Sequence, residues 1–139
     1  TDLIKMTATD QENAYTHTCT YTWQTDLIKI MATGGVRTAG TNPAESAFSL
    51  RELEAAATAA ASAGLRLAAQ AHGVDGIANA ARAGAHTIEH CSWVNANGYW
   101  GQYKPEVVQL IAQRGVYVCP TIGASPALMN ARLDTCHWT

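Results

Sequence analysis

A lysine and two histidines stand in apolar stretches of this 139-residue sequence. Lys29 lies inside TDLIKIM, His72 ends LAAQAH and His90 ends HTIEH. A lysine in an apolar strand is costly unless it pairs with an acid such as Glu89, reaches solvent at the strand end or is chemically modified. Neutral imidazole is the commonest metal ligand among protein side chains. These residue types therefore allow a metal site, although core or surface histidines would give the same pattern.

The apolar stretches alternate with helix-like stretches that have recognisable ends. The first helix starts at the capping-box pair Ser49 and Glu52 and stops at Gly64. A second stops at Gly84, and a third starts near Pro105 and stops at Gly115. The predicted strands are 27–32, 65–71, 85–91 and 116–120. Strand, helix, glycine and strand in repeated order predict βαβ units and a parallel sheet.

The length of the chain limits how such a sheet can close. A (β/α)8 TIM barrel needs eight strands and about 250 residues. The predicted fold is therefore α/β, with parallel βα repeats that form roughly half of such a barrel. A half-barrel has open sheet edges and an uncovered inner face, which would aggregate unless they are paired. We therefore expect the chain to associate with itself as a homodimer or higher oligomer.

Strand alternation assigns the polar residues to faces. It groups Lys29 with Leu27 and Met31, and it sets Gln70 and His72 opposite Leu67, Ala69 and Ala71. It also puts His86, Ile88 and His90 on one face and Glu89 and Cys91 on the other. In parallel folds, ligands bind at the carboxyl ends of the strands, where Lys29, Gln70, His72 and His90 would meet. His86 lies about 13 Å before His90 and is expected to be structural.

Four segments together resemble the metal-dependent amidohydrolase superfamily, especially its imidazolonepropionase- and prolidase-like branch. They are DLIKIMATGGV, AAQAHGVDGIANAARAG, TIEHCSW and PEVVQLIAQRGVYVCPT. The resemblance covers about Thr25 to Gly123 and follows strands four to seven of the family barrel. It implies hydrolysis of amide, ester or ring C–N bonds, with two divalent ions, usually zinc, around an activated water.

The resemblance also implies a set of metal ligands. Lys29 matches the bridging lysine, which is carboxylated in this branch, and His90 matches the strand-six ligand. Where relatives often read His-Ala-His-Gly, this chain has Gln70 at the ligand position, so His72 would take over only in a shifted site. The family's strand-one His-x-His pair and strand-eight aspartate have no match, and Asp134 does not fit the latter motif. The expected metal ligands are Lys29, His72 and His90, and the catalytic residues stay unassigned.

Three functions follow from these observations. The first is a small metal-dependent hydrolase that attacks the amide, ester or lactam carbonyl of a small-molecule substrate with zinc-activated water. The second is a non-catalytic, self-associating half-barrel. The third is thiol chemistry at Cys91 or Cys119, with His90 as the basic neighbour. The loop from Trp93 to Tyr103 would form the border of a binding site, a binding lip, but its residues do not identify a substrate.

Composition excludes other partners. Charged residues make up 14% of the chain, the net charge is −2 and aromatic residues make up 7%, so nucleic acid is not expected to bind. No apolar run approaches the roughly 20 residues of a membrane span. The four cysteines form no CxxC pair, which is typical of reduced thiols in a cytoplasmic protein.

The two ends of the sequence differ from its middle. Residues 1–24 lack apolar periodicity. They begin with the pentapeptide TDLIK, which occurs a second time at 25–29. We predict a non-family segment over 1–24, a half-barrel domain over 25–123 and a non-family tail over 124–139. Leu3 to Met6 would add a strand at a sheet edge, in its own chain or a neighbour's, or the N-terminus would be irregular.

Overall fold

A single parallel sheet forms the centre of the molecule. The computed structural model describes residues 2–6, as backbone only, and residues 25–121. Five strands lie in the sheet in the order in which they follow along the chain, and all neighbouring strands are parallel. They are β1 (Asp2–Met6), β2 (Thr25–Met31), β3 (Arg66–Gly73), β4 (Thr87–Val94) and β5 (Tyr117–Cys119).

Three helices connect the last four strands. They are α1 (Leu50–Ser62), α2 (Val74–Ala83) and α3 (Pro105–Gln113). The alternation from β2 to β5 confirms the predicted α/β fold of parallel βα repeats and corresponds to about half of a TIM barrel. In the described part of the chain, no helix has the length and apolar character needed to cross a membrane.

Local capping chemistry fixes the helix ends. The backbone N–H of Glu52 donates to Ser49 Oγ at 3.3 Å, and the backbone N–H of Ser49 donates to Glu52 Oε2 at 2.8 Å. Hydrogen bonds from Ser49 lower the pKa of the Glu52 carboxyl. At the carboxyl end of α2, Gly84 adopts the left-handed conformation, with φ 90°, and ends the helix. Both ends were predicted from the sequence.

The helices cover one face of the sheet, which holds the hydrophobic core. Strand residues of the core include Ile30, Leu67, Ala69 and Ile88, which pack with Leu53, Ile77 and Ile111 from the helices. On β2, the alternate positions Leu27, Lys29 and Met31 remain partly exposed. The predicted faces of β2 and β3 are therefore confirmed. We call the side of the sheet on which no described helix packs, and which carries Lys29 and Gln70, the inner face.

The carboxyl half of β4 departs from simple alternation. Ile88 is 0% exposed and Cys91 is 7% exposed, and both belong to the same core. His90, Cys91 and Trp93 have φ values of 69°, 48° and 56°. Left-handed residues inside a strand turn the side chains that follow them, so the predicted grouping of His90 with Ile88, opposite Cys91, is wrong.

Close packing joins α2 to the end of β2. A Cβ atom added at Gly76 would collide with Thr33 Cγ2 and would lie 3.1 Å from the carbonyl oxygen of Ala32. Only glycine allows the first turn of α2 to approach this close. Because α2 follows β3 directly, this contact also fixes the position of the carboxyl end of β3 relative to β2.

The repeated pentapeptide forms two neighbouring strands. β1 is an edge strand paired in parallel with β2, and Leu3, Ile4 and Lys5 are the Cα partners of Leu27, Ile28 and Lys29. The edge strand considered for Leu3 to Met6 is thus the arrangement found. The boundaries proposed at 24 and 123 stay predictions, and the tail over 124–139 lies outside the described residues.

Candidate active site

The carboxyl ends of β2 and β3 are held together by the loop that follows β2. The backbone N–H of Ala32 donates to the carbonyl of Gln70 at 2.8 Å. Thr33 forms an antiparallel bridge with Ser46, and the backbone N–H of Ala47 donates to the carbonyl of Ala32 at 2.9 Å. This loop therefore folds back over the sheet. We call the carboxyl end of the sheet, together with this loop and the side chains that meet there, the rim.

His72 is a buried polar residue of the rim. It is 4% exposed, and its backbone N–H donates to Thr33 Oγ1 at 3.0 Å. Its ring Nδ1 forms a hydrogen bond of 3.0 Å with Ser92 Oγ. The ring of Trp100 meets it edge-on, with centroids 5.9 Å apart. The contact with Thr33 holds the backbone, and the contacts with Ser92 and Trp100 hold the imidazole ring.

His90 stacks on His72. The ring centroids are 4.6 Å apart and the ring planes differ by 17°. His90 Nδ1 forms a hydrogen bond of 2.8 Å with Thr121 Oγ1, beyond the end of β5. The left-handed backbone at His90 accompanies this placement, which strand alternation alone did not predict. We call these two rings the histidine pair.

Lys29 lies on the inner face below the histidine pair. Its register partner on β3 is Ala68, so Gln70 is about 7 Å and His72 about 13 Å farther along the strand, at about 3.3 Å per residue. His90 pairs with Ala71 and is therefore near the level of Gln70. The structure thus brings His72 and His90 together but leaves Lys29 nearer to Gln70 than to His72 in register.

Glu89 is not in position to neutralise Lys29. Glu89 lies two strands from Lys29, and its partner Gln70 is two residues beyond the level of Lys29, so the two Cα atoms are about 12 Å apart at strand spacings of about 4.8 Å. Its carboxylate instead accepts a hydrogen bond from Thr87 Oγ1 at 2.8 Å. Lys29 is partly exposed, which favours the route to solvent among the alternatives considered for it.

His86 belongs to the opposite end of the sheet, as predicted. Its Nδ1 accepts a hydrogen bond from the backbone N–H of Leu67 at 3.3 Å. This bond joins the starts of β3 and β4, far from the histidine pair. His86 therefore has a structural contact and offers a control position for experiments on the other two histidines.

Burial argues against one of the predicted thiol sites. Cys91 lies in the core, and desolvation raises the pKa of its thiol to about 12. A thiol with that pKa stays protonated at neutral pH and is a poor nucleophile. The prediction of thiolate chemistry at Cys91 beside His90 is therefore wrong, whereas Cys119 is exposed on β5.

Several residues of the rim were not assigned to the site from the sequence. Ser92, Thr121 and Thr33 lie in segments that carry the family resemblance, but their hydrogen bonds with the two histidines join different strands. Trp100 falls in the loop that was predicted as a binding lip, so its position, although not its contact with His72, was anticipated. Contacts across strands decide all four positions.

Comparison with known proteins identifies the family. A model of the amidohydrolase family matches residues 6–138. The chain belongs to the amidohydrolase family. The match extends beyond the range of about 25–123 over which the sequence resemblance was found, and the fold of β2 to β5 agrees with it.

Individual amidohydrolase relatives are similar over part of their length. An ochratoxinase of Aspergillus niger is 34% identical over 90 residues, which are 65% of this chain and 18% of that enzyme. The crystal structure of A. niger ochratoxinase is similar with a TM-score of 0.60 and 28% identity, over 81% of this chain and 23% of that one. A Xaa-Pro dipeptidase crystallised with methionine in its active site gives 0.65 and 31%, over 76% and 24%. The chain therefore spans about a fifth to a quarter of these relatives.

Members of the amidohydrolase family commonly bind metals, and the donor types of the rim suit a divalent ion. Their number does not, because a catalytic zinc site has three protein ligands. In the part of the chain that the structure describes, no three His, Cys, Asp or Glu residues come together. The described residues thus do not form a complete metal site, and Gln70 contributes at best a weak amide ligand.

Proposed function

We propose that this chain provides part of the active site of a metal-dependent hydrolase that acts on the amide, ester or lactam carbonyl of a small molecule. The observation that carries the proposal is the histidine pair at the carboxyl edge of a parallel sheet, in a chain of the amidohydrolase family. The Xaa-Pro dipeptidase among the structural neighbours favours an amide substrate.

The proposed ligands are His90, His72 and Lys29: a carboxylated Lys29 would be an anionic ligand, and an unmodified Lys29 would stabilise negative charge. Hydrolysis of this class uses a water molecule that a divalent ion, usually zinc, makes acidic. Since the described residues offer too few ligands, the proposal requires others from outside them, such as a second copy of this chain. The half-buried Trp100 would line the substrate side of the rim.

The test combines metal content with hydrolysis. Protein purified without a metal-affinity tag is analysed for zinc per chain and assayed on chromogenic amide and ester substrates, before and after chelation. His90→Ala and His72→Ala should each lose metal and activity, whereas the control His86→Ala should keep both. Activity that survives His90→Ala, or a zinc content unchanged by both substitutions, would contradict the proposal.

Gln70 favours a second candidate, a folded, self-associating half-barrel without catalysis. An amide stands where the family resemblance expects an imidazole ligand, and the rim lacks a third strong ligand among the described residues. This candidate predicts an assembly that stays intact and metal-free in the same analysis. Zinc that is lost together with activity on chelation would contradict it.

The thiols bear on the compartment. Cys91 and Cys119 are both free, one buried and one exposed. An exposed free thiol is typical of a reducing environment, so we propose a cytoplasmic protein. Oxidative dimerisation through Cys119 under mild air oxidation would show how readily this thiol reacts once that environment is lost.

A further inference from the structure

The described part of the first TDLIK copy, residues 2–5, lies beside the second copy at 25–29, and the pairing is specific. Over Leu3, Ile4 and Lys5, each residue pairs with the same residue type on β2, and the only irregularity is at Asp2, which pairs with Thr25. β2 has β3 on its other side, so β1 occupies the remaining edge of β2. That edge therefore accepts a strand of its own sequence in one defined register.

An open strand edge presents unpaired backbone N–H and C=O groups and is a template for strand addition. A parallel neighbour from the same chain needs a connection of about a dozen residues or more, and the segment 7–24 meets this requirement. A strand joined covalently to the edge it pairs with meets that edge at a higher effective concentration than a free strand at micromolar concentration.

We propose that the outer edge of β2 is a strand-addition site for the sequence TDLIK and that β1 is its intramolecular ligand. In the intact chain β1 fills the site and excludes other strands. When β1 is disabled, the edge accepts the same sequence from outside, in the same parallel register. Because β2 carries Lys29, occupancy of this edge also orders the strand that presents this lysine on the inner face.

The test uses a fluorescently labelled TDLIKM peptide and proline variants of the full chain. Successive residues of a strand direct their N–H groups to opposite edges, so one of Leu3→Pro and Ile4→Pro removes an N–H that pairs with β2. The other variant removes an outward N–H and serves as the matched control. A scrambled peptide, KTLDIM, controls for composition.

Fluorescence anisotropy should show weak binding of TDLIKM to the wild-type chain. One proline variant should bind it at least about tenfold more tightly, with the scrambled peptide binding to neither. Failure of both folded variants to bind TDLIKM, or equal binding of the scrambled peptide, would overturn the proposal.

Hydrogen exchange on the wild-type chain gives a second measurement that does not depend on the variants folding. Amides of β1 that pair with β2 should be protected, and an excess of TDLIKM peptide should accelerate their exchange by competing for the edge. Uniformly fast exchange across residues 2–6 without peptide would overturn the proposal, because the edge would then not hold β1.

Discussion

The histidine pair combines order with backbone strain. His72 is held by Thr33, Ser92 and Trp100, while His90 reaches it from a backbone in the left-handed region. For residues other than glycine, that region costs of the order of 1 kcal/mol or more. Such strain concentrates where a side chain must point in a particular direction, which supports a functional rather than a purely structural role for this end of β4.

Gln70 is the residue whose replacement by histidine should strengthen metal binding. Its register lies between Lys29 and the level of His90, so an imidazole there would add a ligand where the family resemblance expects one. We expect Gln70→His to tighten zinc binding by about tenfold or more, which corresponds to about 1.4 kcal/mol. Isothermal titration with zinc measures this, and the exposed loop residue provides the control Gln102→His. Equal affinities of the two variants would show that position 70 does not face the site.

The two described cysteines should react very differently. Exposed Cys119 should be alkylated by iodoacetamide in the native protein at pH 7.5, whereas buried Cys91 should react only after unfolding, as peptide mass mapping would show. Since burial raises the pKa of Cys91 from 9.0 to about 12, its protonated form favours the folded state. The protonated Cys91 thiol therefore contributes fully to the free energy of unfolding below pH 9. This contribution is lost as the pH rises from 9 toward 12. Rapid native alkylation of Cys91 would contradict its burial.

For single residues, the sequence predicts which face of the sheet a side chain occupies wherever the strand alternates regularly. Lys29, Gln70 and His72 were assigned to the correct face because β2 and β3 keep a period of two. The face of His90 was not predictable, because its turn depends on left-handed conformations that no glycine announces. The hydrogen bonds of the histidines with Ser92 and Thr121 depend on tertiary contacts, so the sequence did not assign these partners.

Among the elements, the contact of α2 with β2 depends on one missing methyl group. Gly76→Ala should improve helix propensity by up to about 1 kcal/mol but should destabilise the fold by about 1–3 kcal/mol through overpacking against Thr33 Cγ2. Thermal or urea unfolding measures the net effect. Thr33→Ser removes Cγ2 while it keeps the hydroxyl that accepts from His72, so the double variant should recover most of the loss. No recovery in the double variant would place the strain elsewhere.

Helix ends and strand positions were predicted more accurately than strand partners. The capping box at Ser49 and the stop at Gly84 follow from neighbours within four residues, so the sequence alone is sufficient. The pairing of β1 with β2 was only one of several alternatives, since it joins segments separated by residues 7–24. Long-range pairing of this kind depends on register and chain connection, which periodicity does not report.

For the whole molecule, the inner face and the two ends of the sheet determine behaviour in solution. On the inner face, Leu27 and Met31 remain partly exposed, and at the far edge Tyr117 and Val118 are 76% and 41% exposed. We expect the chain to self-associate, because apolar surface and a β5 edge that no described strand covers are costly to leave in water. Static light scattering at micromolar concentration should give at least twice the chain mass. A monodisperse monomer would contradict this expectation.

The pairing of β1 with β2 has a consequence for how barrel genes can change. In a parallel sheet, neighbouring strands run in the same direction and pair residue by residue. Two strands of the same sequence can therefore pair with each other in register. Copying a few codons upstream of such a strand can therefore supply a replacement for a lost one, without any newly selected sequence. A gene rearrangement that would otherwise leave an unpaired strand edge can in this way still encode a folded protein.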